Sequence, residues 1–167
     1  MSNQTPAITN KKNKWLSDQV DCEFPTKESI DGLQLYRASA EQRITEPFSI
    51  AVTECEEMEH YLVDFHRLTI MFALLQSKRW PDESEQSLIV EFLTQIILSS
   101  EHDLYVSFSH GEPVGAAMVT RLESELLVSD IVYKQAFDKE RVAGYLSCLL
   151  EKITKEMSAV EKILIEI

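Results

Sequence analysis

Arg141 and Gly144, three positions apart at the start of a predicted helix, have the residue types and spacing of a phosphate-binding turn. A glycine in the first turns of a helix that follows a strand lets a ligand approach the backbone closely. The unpaired N–H groups of those turns can receive phosphate oxygens, and a nearby arginine adds positive charge. The spacing therefore favours a pyrophosphate site, and the alternative is that Arg141 is an ordinary exposed helical residue.

The histidines and cysteines predict no metal site. The four histidines show no metal-like pairing with cysteine or carboxylate, and His60 and His66 fall on different faces of the helix predicted there. Cys22, Cys55 and Cys148 are scattered and odd in number, which predicts a reducing compartment and no disulfide framework. Cys148 is expected to pack as a small apolar residue inside a helix.

Three consecutive strands are predicted before the Arg141 helix. They cover residues 104–109, 114–120 and 126–133. In the first, the apolar residues Leu104 and Val106 alternate with Ser107, a pattern typical of a strand with one buried face. Gly111 lies between the first two strands, where glycine permits the positive φ of a hairpin turn.

Helices are predicted on both sides of this meander. By their apolar spacing they cover residues 54–78, 83–99 and 138–157. The remaining predicted strands cover residues 32–38, 48–53 and 162–167. Asp138 is the expected N-cap of the last helix. A crossover through that helix would place the final strand parallel to the strand over 126–133 or a near neighbour.

This order of elements resembles the GNAT family of N-acetyltransferases over roughly residues 48–167. The acetyl-CoA motif of that family reads Gln/Arg-x-x-Gly-x-Gly/Ala, and Arg141 and Gly144 match its first and fourth positions. Val142 stands where a second glycine is common, and Leu146 is bulkier than the residue usual at the sixth position. The resemblance implies an α/β fold whose mixed sheet, an antiparallel meander plus a parallel strand, is flanked by helices.

The resemblance also implies acetyl-CoA as the cosubstrate and an amine as the acceptor. The coenzyme phosphates would lie at Arg141, Val142, Ala143, Gly144 and Tyr145. The pantetheine arm would lie along the backbone of Ile131, Val132 and Tyr133.

Deprotonation of the acceptor amine would need a carboxylate or a water chain near the thioester, with the carboxyl pKa raised by burial. Asp130 and Glu125 are the nearest carboxylates, and the alternative for each is a solvent-facing strand residue. Tyr133 and Tyr145 are candidates to replace the tyrosine that in this family often protonates the leaving thiolate. The alternative for both tyrosines is packing, with the hydroxyl bonded to a backbone group.

In the GNAT family a further helix and two strands normally follow the last predicted strand and form part of the coenzyme and acceptor walls. The present sequence has no such elements after Ile167. Three alternatives follow: the walls come from a partner subunit, they come from residues 15–47, or the site is incomplete. An exposed edge on the terminal strand would favour pairing with a second chain, so a homodimer is expected.

Two functions are consistent with the resemblance. One is transfer of an acetyl group from acetyl-CoA to an unidentified primary amine, which the hairpin and the Arg141-x-x-Gly144 spacing favour. The other is a degenerate, non-catalytic GNAT-like domain that binds a protein or coenzyme A, which Val142 and Leu146 favour. An unrelated α/β domain is a third interpretation, because a fold is weak evidence of function.

Length and composition indicate the domain organisation, the class of partner and the location of the protein. The 167 residues are enough for one domain, with a disordered tail expected over 1–14, a packed arm over 15–47 and the GNAT-like domain over 48–167. A net charge of −12 disfavours nucleic acid and anionic membranes and suits either a basic acceptor or simple solubility. No apolar run is long enough to span a bilayer, and the N-terminus lacks a signal core, so a cytoplasmic protein is expected.

Overall fold

The computed structural model describes residues 4–51, 55, 57–134, 138–157 and 159–167. Its helices are α1 Ala7–Asp18, α2 Lys27–Glu41, α3 His66–Ser77, α4 Glu83–Leu93 and α5 Lys139–Lys155. Its strands are β1 Thr45–Pro47, β2 Glu59–Leu62, β3 His102–Ser109, β4 Glu112–Leu122, β5 Glu125–Tyr133 and β6 Lys162–Glu166.

The described strands form one sheet in the order β1-β6-β5-β4-β3-β2. The β5–β6 pair is parallel and the other neighbouring pairs are antiparallel. The hairpin between β3 and β4 turns at His110 and Gly111, with φ values of 52° and 79°. The predicted fold class, an antiparallel meander extended by a parallel strand and flanked by helices, is confirmed.

Helices cover both faces of the sheet. Leu104 and Val106 of β3 share one core with α1 to α4, whereas Tyr105 of the same strand shares a second core with α5. Ser107 was expected on a solvent face, but it is fully buried under α5. The prediction of a half-buried strand is therefore wrong, because the alternation on β3 separates two interior faces.

The predicted helix over 54–78 begins only at His66. Upstream of it, β2 pairs antiparallel with β3 at the sheet margin. Apolar residues spaced for a helix are also compatible with a short edge strand, and pairing with β3 decides between the two. Glu54 and Glu56 of the predicted helix lie outside the described residues. The helix predicted over 83–99 ends at Leu93.

The predicted strand over 32–38 is wrong, because this segment lies inside α2. The Thr26 side chain caps that helix by accepting a hydrogen bond from the backbone N–H of Ser29. The strand predicted over 48–53 is displaced toward the N-terminus, to β1. Residues 48–51 are not in a strand, and residues 52–53 lie outside the described part of the chain.

The disordered tail predicted over 1–14 is also wrong from Ala7 onward, where α1 begins. Ile8, Lys12 and Leu16, four residues apart, are all fully buried, which explains why this polar segment is held against the sheet. The rest of α1, together with α2 and β1, comes from the segment predicted as a packed arm.

Strand β1 covers the β6 edge that was expected to be exposed. Thr45 lies opposite Glu166 and Pro47 lies opposite Leu164 in antiparallel pairing. The backbones of Ile44 and Ile167 also exchange hydrogen bonds in both directions. The segment over residues 15–47 thus supplies the strand next to β6.

A disulfide joins Cys55 to Cys148, which corrects the expectations that no cysteines pair and that Cys148 packs as a free thiol. The two residues are 93 positions apart, so their spacing contains no signal of the pairing. The segment after β1 reaches α5, where the backbone N–H of Ala51 donates to the Ser147 hydroxyl at 3.1 Å. Cys22 is an exposed free thiol. No helix within the described ranges combines the length and apolarity needed to cross a membrane.

Candidate functional site

The pairing of β5 with β6 stops halfway along β5. It runs from Glu125↔Lys162 to Val128↔Ile165, whereas β5 continues beside β4 as far as Tyr133. At Asp130 the backbone takes a φ of 53°, and the β4–β5 register shifts between Ala116 and Met118. A left-handed residue and a register shift bend a strand locally. Because β6 ends at Glu166, residues 129–133 of β5 have no partner in β6, and we call the point where the pairing stops the β5–β6 junction.

A cluster of charged side chains, the buried ion cluster, fills the junction on the side of α1 and α2. It consists of Lys12, Tyr36, Arg43, Asp130 and Glu166. The Arg43 Nη1 atom lies 2.9 Å from Asp130 Oδ1 and 2.8 Å from Glu166 Oε1. The Lys12 Nζ atom lies 2.7 Å from Glu166 Oε1 and 2.8 Å from the Tyr36 hydroxyl. These contacts join α1, α2 and the end of β6 to the bend in β5.

The charges of the cluster keep Asp130 ionised. Burial by itself raises the pKa of this carboxyl, but Arg43, Lys12 and Arg79 outweigh burial and hold the pKa well below its ordinary value. Tyr36 also donates to Asp130 Oδ2 at 3.1 Å. A carboxylate stabilised in this way is a weak proton acceptor, so its surroundings do not provide the raised pKa expected of a general base.

Tyr36 is held neutral in the same cluster. Burial and then the charge of Asp130 raise the pKa of its hydroxyl well above the ordinary value. The hydroxyl accepts from Lys12 and donates to Asp130. It is therefore a protonated group fixed at the junction.

The N-terminus of α5 is open to solvent. Asp138 caps the helix by accepting from the Glu140 N–H at 3.0 Å, as predicted. The Arg141 side chain is 73% exposed, with Asp138 as an ion-pair partner at 3.9 Å. A methyl group placed on Gly144 would meet no atom within 4 Å. This side of α5 is therefore not covered by the described residues, while residues 135–137, just before the helix, lie outside the described part of the chain.

The two candidate tyrosines next to this turn are packed together. The rings of Tyr133 and Tyr145 stack with centroids 4.7 Å apart. The Tyr145 hydroxyl is 2.8 Å from Ser107 Oγ, which is in turn 2.6 Å from Nδ1 of His60. Burial raises the pKa of Tyr145 and lowers the pKa of His60 to about 4. Tyr145 thus lies in the core, with its hydroxyl bonded to a serine.

The remaining predicted site residues lie in different surroundings, some buried, some half-buried and one far from α5. Leu146 is fully buried in the α5 core, so it does not crowd the open side of Gly144. Val142 and Ile131 are half-buried and pack against the same core. Ala143 and Val132 are also half-buried. Glu125 pairs with Lys162 at 4.0 Å at the far end of β5, about 26 Å from Tyr133 along an extended strand.

The sequence does not predict most of the contacts in the buried ion cluster. Lys12 alone had a local signal, because it interrupts the four-residue apolar spacing of Ile8 and Leu16. Arg43 and Glu166 come from distant parts of the chain and meet only in the folded sheet. Among the described residues, no group of three or more His, Cys, Asp or Glu side chains is arranged to hold a metal ion.

Comparison with known proteins finds similar folds among solved structures but no match by sequence. No protein-family model and no curated protein matches it. A functionally unknown conserved protein from Staphylococcus epidermidis matches with a TM-score of 0.54 and 12% identity, over 86% of this chain and 60% of that protein.

Two solved acetyltransferases match with lower TM-scores. A GCN5-related N-acetyltransferase from Kribbella flavida has a TM-score of 0.48 and 6% identity, over 75% of this chain and 47% of that protein. The PaiA N-acetyltransferase from Thermoplasma acidophilum, in complex with coenzyme A, matches with a TM-score of 0.43 and 14% identity, over 60% of this chain and 74% of that protein. The chain thus spans 47% and 60% of the Kribbella and Staphylococcus proteins, and the likeness concerns the fold alone.

Proposed function

We propose that this chain, which has a divergent GNAT fold, binds an acyl-coenzyme A and transfers the acyl group to a primary amine. The observation that carries the proposal is that residues 129–133 of β5 extend past the end of β6 and lead toward the exposed start of α5. A strand edge without a partner strand can accept an extended ligand, and a helix N-terminus can accept its phosphates.

In this proposal the coenzyme phosphates lie at the first turns of α5. Arg141 supplies charge, Gly144 supplies close access to the backbone, and the half-buried Val142 and Ala143 form the adjoining wall. The pantetheine arm lies along Ile131 and Val132 beyond the junction. A backbone N–H of β5 then donates to the oxyanion that forms when the amine attacks the thioester.

The proton transfers are assigned to none of the residues expected. Asp130 has a lowered pKa and Glu125 is remote, so the amine is proposed to be deprotonated by water before it attacks the thioester. The leaving thiolate takes up the proton that the amine nitrogen loses, directly or through water, because the raised pKa of the buried Tyr36 hydroxyl makes it a poor proton donor. Tyr133 and Tyr145 instead support the strand and helix that border the coenzyme.

Calorimetric titration with acetyl-CoA tests the coenzyme site. Arg141→Ala should weaken binding about tenfold, since it removes one charge-assisted contact to phosphate. Lys155→Ala is the matched control: like Arg141, Lys155 is 73% exposed on α5 and has a carboxylate partner 54% exposed. The Lys155→Ala control should bind acetyl-CoA with the wild-type affinity. The free energy of unfolding of each variant should lie within about 0.5 kcal/mol of the wild-type value. Absence of measurable binding to the wild type would refute the proposal.

Coenzyme binding without turnover is the second candidate function, and the lowered pKa of Asp130 favours it. The two candidates differ in one readout, the release of free coenzyme A thiol in the presence of amines. Spermidine and a lysine-rich peptide are suitable acceptors, because a chain with a net charge of −12 attracts cations. Binding of acetyl-CoA with no thiol release above the rate in buffer would favour the non-catalytic candidate.

Location and assembly remain part of the proposal. The Cys55–Cys148 disulfide removes the odd number of scattered cysteines as support for a cytoplasmic location and argues against that location, since such bonds are rare in reducing compartments. A homodimer no longer has the β6 edge as its basis, because β1 pairs there. The other margin of the described sheet is β2, where Tyr61 and Leu62 are exposed.

A further inference from the structure

Strand β2 is one margin of the described sheet, and alternate backbone groups of this strand face away from β3. The N–H of Val63, directly after the strand, donates to the Leu104 carbonyl at 2.8 Å. Because successive residues of an antiparallel strand alternate between its two sides, Tyr61 also faces β3, whereas His60 and Leu62 face outward. The outer side of β2 therefore offers the backbone groups of His60 and Leu62 to a further strand.

A lysine side chain occupies one of these outward groups. The Lys152 ammonium, from the last turns of α5, donates to the His60 carbonyl oxygen. Among the described residues, none bonds to the N–H of His60 or to the N–H and C=O of Leu62. A lysine is a frequent protection of a sheet edge, because its ammonium competes with the N–H of an incoming strand. Lys152 therefore opposes the pairing of any strand with β2.

The outward backbone groups of β2 are complementary to those of a second copy. Antiparallel pairing about a two-fold axis at Tyr61 places His60 of each copy opposite Leu62 of the other. Both residues face outward, so the two copies can exchange about four backbone hydrogen bonds. Half of these bonds end on the His60 carbonyl oxygen, which is the atom that Lys152 occupies.

The side chains of β2 also favour a second copy as the partner. Tyr61 and Leu62 are each 46% exposed at the sheet margin. At the two-fold axis Tyr61 lies opposite its own copy in a non-hydrogen-bonded pair, where side chains approach most closely. The Tyr61 ring already contacts Phe108 edge-on, with centroids 5.5 Å apart, and the pairing extends this aromatic contact across the axis. Glu59 lies opposite Val63 of the second copy, so the two Glu59 carboxylates do not face each other.

We propose that β2 pairs with the same strand of a second copy of this chain, and that Lys152 weakens the pairing by occupying the His60 carbonyl. The dimer contains one continuous sheet, joined antiparallel at the two β2 strands. The inference does not depend on acyl transfer, and its test uses no coenzyme.

Sedimentation equilibrium of the full chain measures the dimer. Lys152→Ala should lower the dissociation constant of the dimer at least about tenfold, because it makes one backbone acceptor available in each copy. Lys155→Ala is the matched control from the same helix. Lys155 is exposed and pairs with Glu151 at 3.3 Å, so its removal should leave the dissociation constant unchanged. No measurable dimer in Lys152→Ala, or the same dissociation constant as in the wild type, would overturn the proposal.

Proline at position 62 tests the backbone contact. In the Lys152→Ala background, Leu62→Pro removes an outward N–H from each copy and leaves the β2–β3 hydrogen bonds intact. It should abolish the dimer, whereas Leu62→Ala, which retains the N–H, should still dimerise. Thermal unfolding verifies that each variant is folded. A dimer that persists in the proline variant would lie on another surface and would contradict the proposal.

Opposite charges at position 61 test the two-fold axis without changing the backbone. In the Lys152→Ala background, Tyr61→Asp and Tyr61→Lys should each be monomeric, because like charges face each other across the axis. An equimolar mixture should dimerise more strongly than either variant alone, since an aspartate then faces a lysine. A mixture that is no more dimeric than its components would rule out pairing about Tyr61.

Discussion

Lys12 shows how one residue can contradict its local pattern and still be essential to the fold. It is fully buried on the inner face of α1, and its ammonium lies between Glu166 and Tyr36. The ammonium also lies 5.1 Å from the centre of the Tyr36 ring, within the range of a cation–π contact. A lysine is buried only when partners replace the water that it loses. The cluster therefore explains how a polar N-terminal helix is docked on the sheet.

Removal of this ammonium should destabilise the protein strongly. Lys12→Ala leaves Glu166 with one cation fewer in a buried site and opens a cavity, so a loss of about 3–5 kcal/mol is expected. Lys14→Ala is the control from the same helix, because Lys14 is 79% exposed and pairs with Asp18 at its surface. The control should change stability by less than about 0.5 kcal/mol. Urea denaturation measures the loss of stability in each variant. Equally small losses for Lys12→Ala and Lys14→Ala would mean that Lys12 is solvated.

At the scale of elements, two helical glycines have opposite surroundings. Gly32 lies where α2 crosses α4, and a methyl group there would be 2.7 Å from Cβ of Phe92 and closer still to the Leu88 carbonyl oxygen. Gly144 in α5 has no neighbour within 4 Å of that position. The first glycine thus sets the spacing of two helices, and the second leaves a helix surface open to a ligand.

The same substitution should have opposite effects at these two sites. Gly32→Ala should destabilise by about 1–3 kcal/mol, because α4 must move away from α2. Gly144→Ala should stabilise by up to about 1 kcal/mol, the difference in helix propensity. It should also weaken acetyl-CoA binding if phosphate approaches this backbone. Chemical denaturation and calorimetry test the pair, and a tighter-binding Gly144→Ala would remove the glycine from the coenzyme site.

Across the whole molecule, the Cys55–Cys148 disulfide connects the segment after β1 with the middle of α5. It joins residues 93 positions apart, so it limits the unfolded chain substantially. Segments from both halves of the sequence are tied together in this way. The stability of the molecule should therefore depend on its redox state.

Reduction should lower the free energy of unfolding by about 2–4 kcal/mol, the usual contribution of a disulfide. Urea denaturation with and without dithiothreitol measures the loss. Cys22→Ser is the control, since Cys22 is exposed and unpaired, and it should keep the full response to reductant. Thiol titration of the denatured, unreduced protein should find one reactive cysteine. Three reactive cysteines would show that the bond does not form.

What the sequence by itself determined lies in elements with local causes. The β3–β4 hairpin follows from Gly111, the capped start of α5 follows from Asp138, and the parallel β6 follows from a helical crossover. The hairpin and the helix cap depend on residues within a few positions of one another, and the parallel pairing depends on the order of strand, helix and strand along the chain. The Arg141 to Gly144 spacing could likewise be identified before the fold was known, because it is contained in a single helical turn.

The tertiary structure alone decided the rest. Residues 59–62 are a strand because β3 offers them a pairing partner, and Lys12 is buried because Glu166, 154 residues away, receives its charge. The state of Asp130 likewise depends on Arg43, 87 residues earlier in the chain. Pairing energies and pKa values are set by neighbours in space, and neighbours from distant parts of the chain leave no periodic pattern in the sequence.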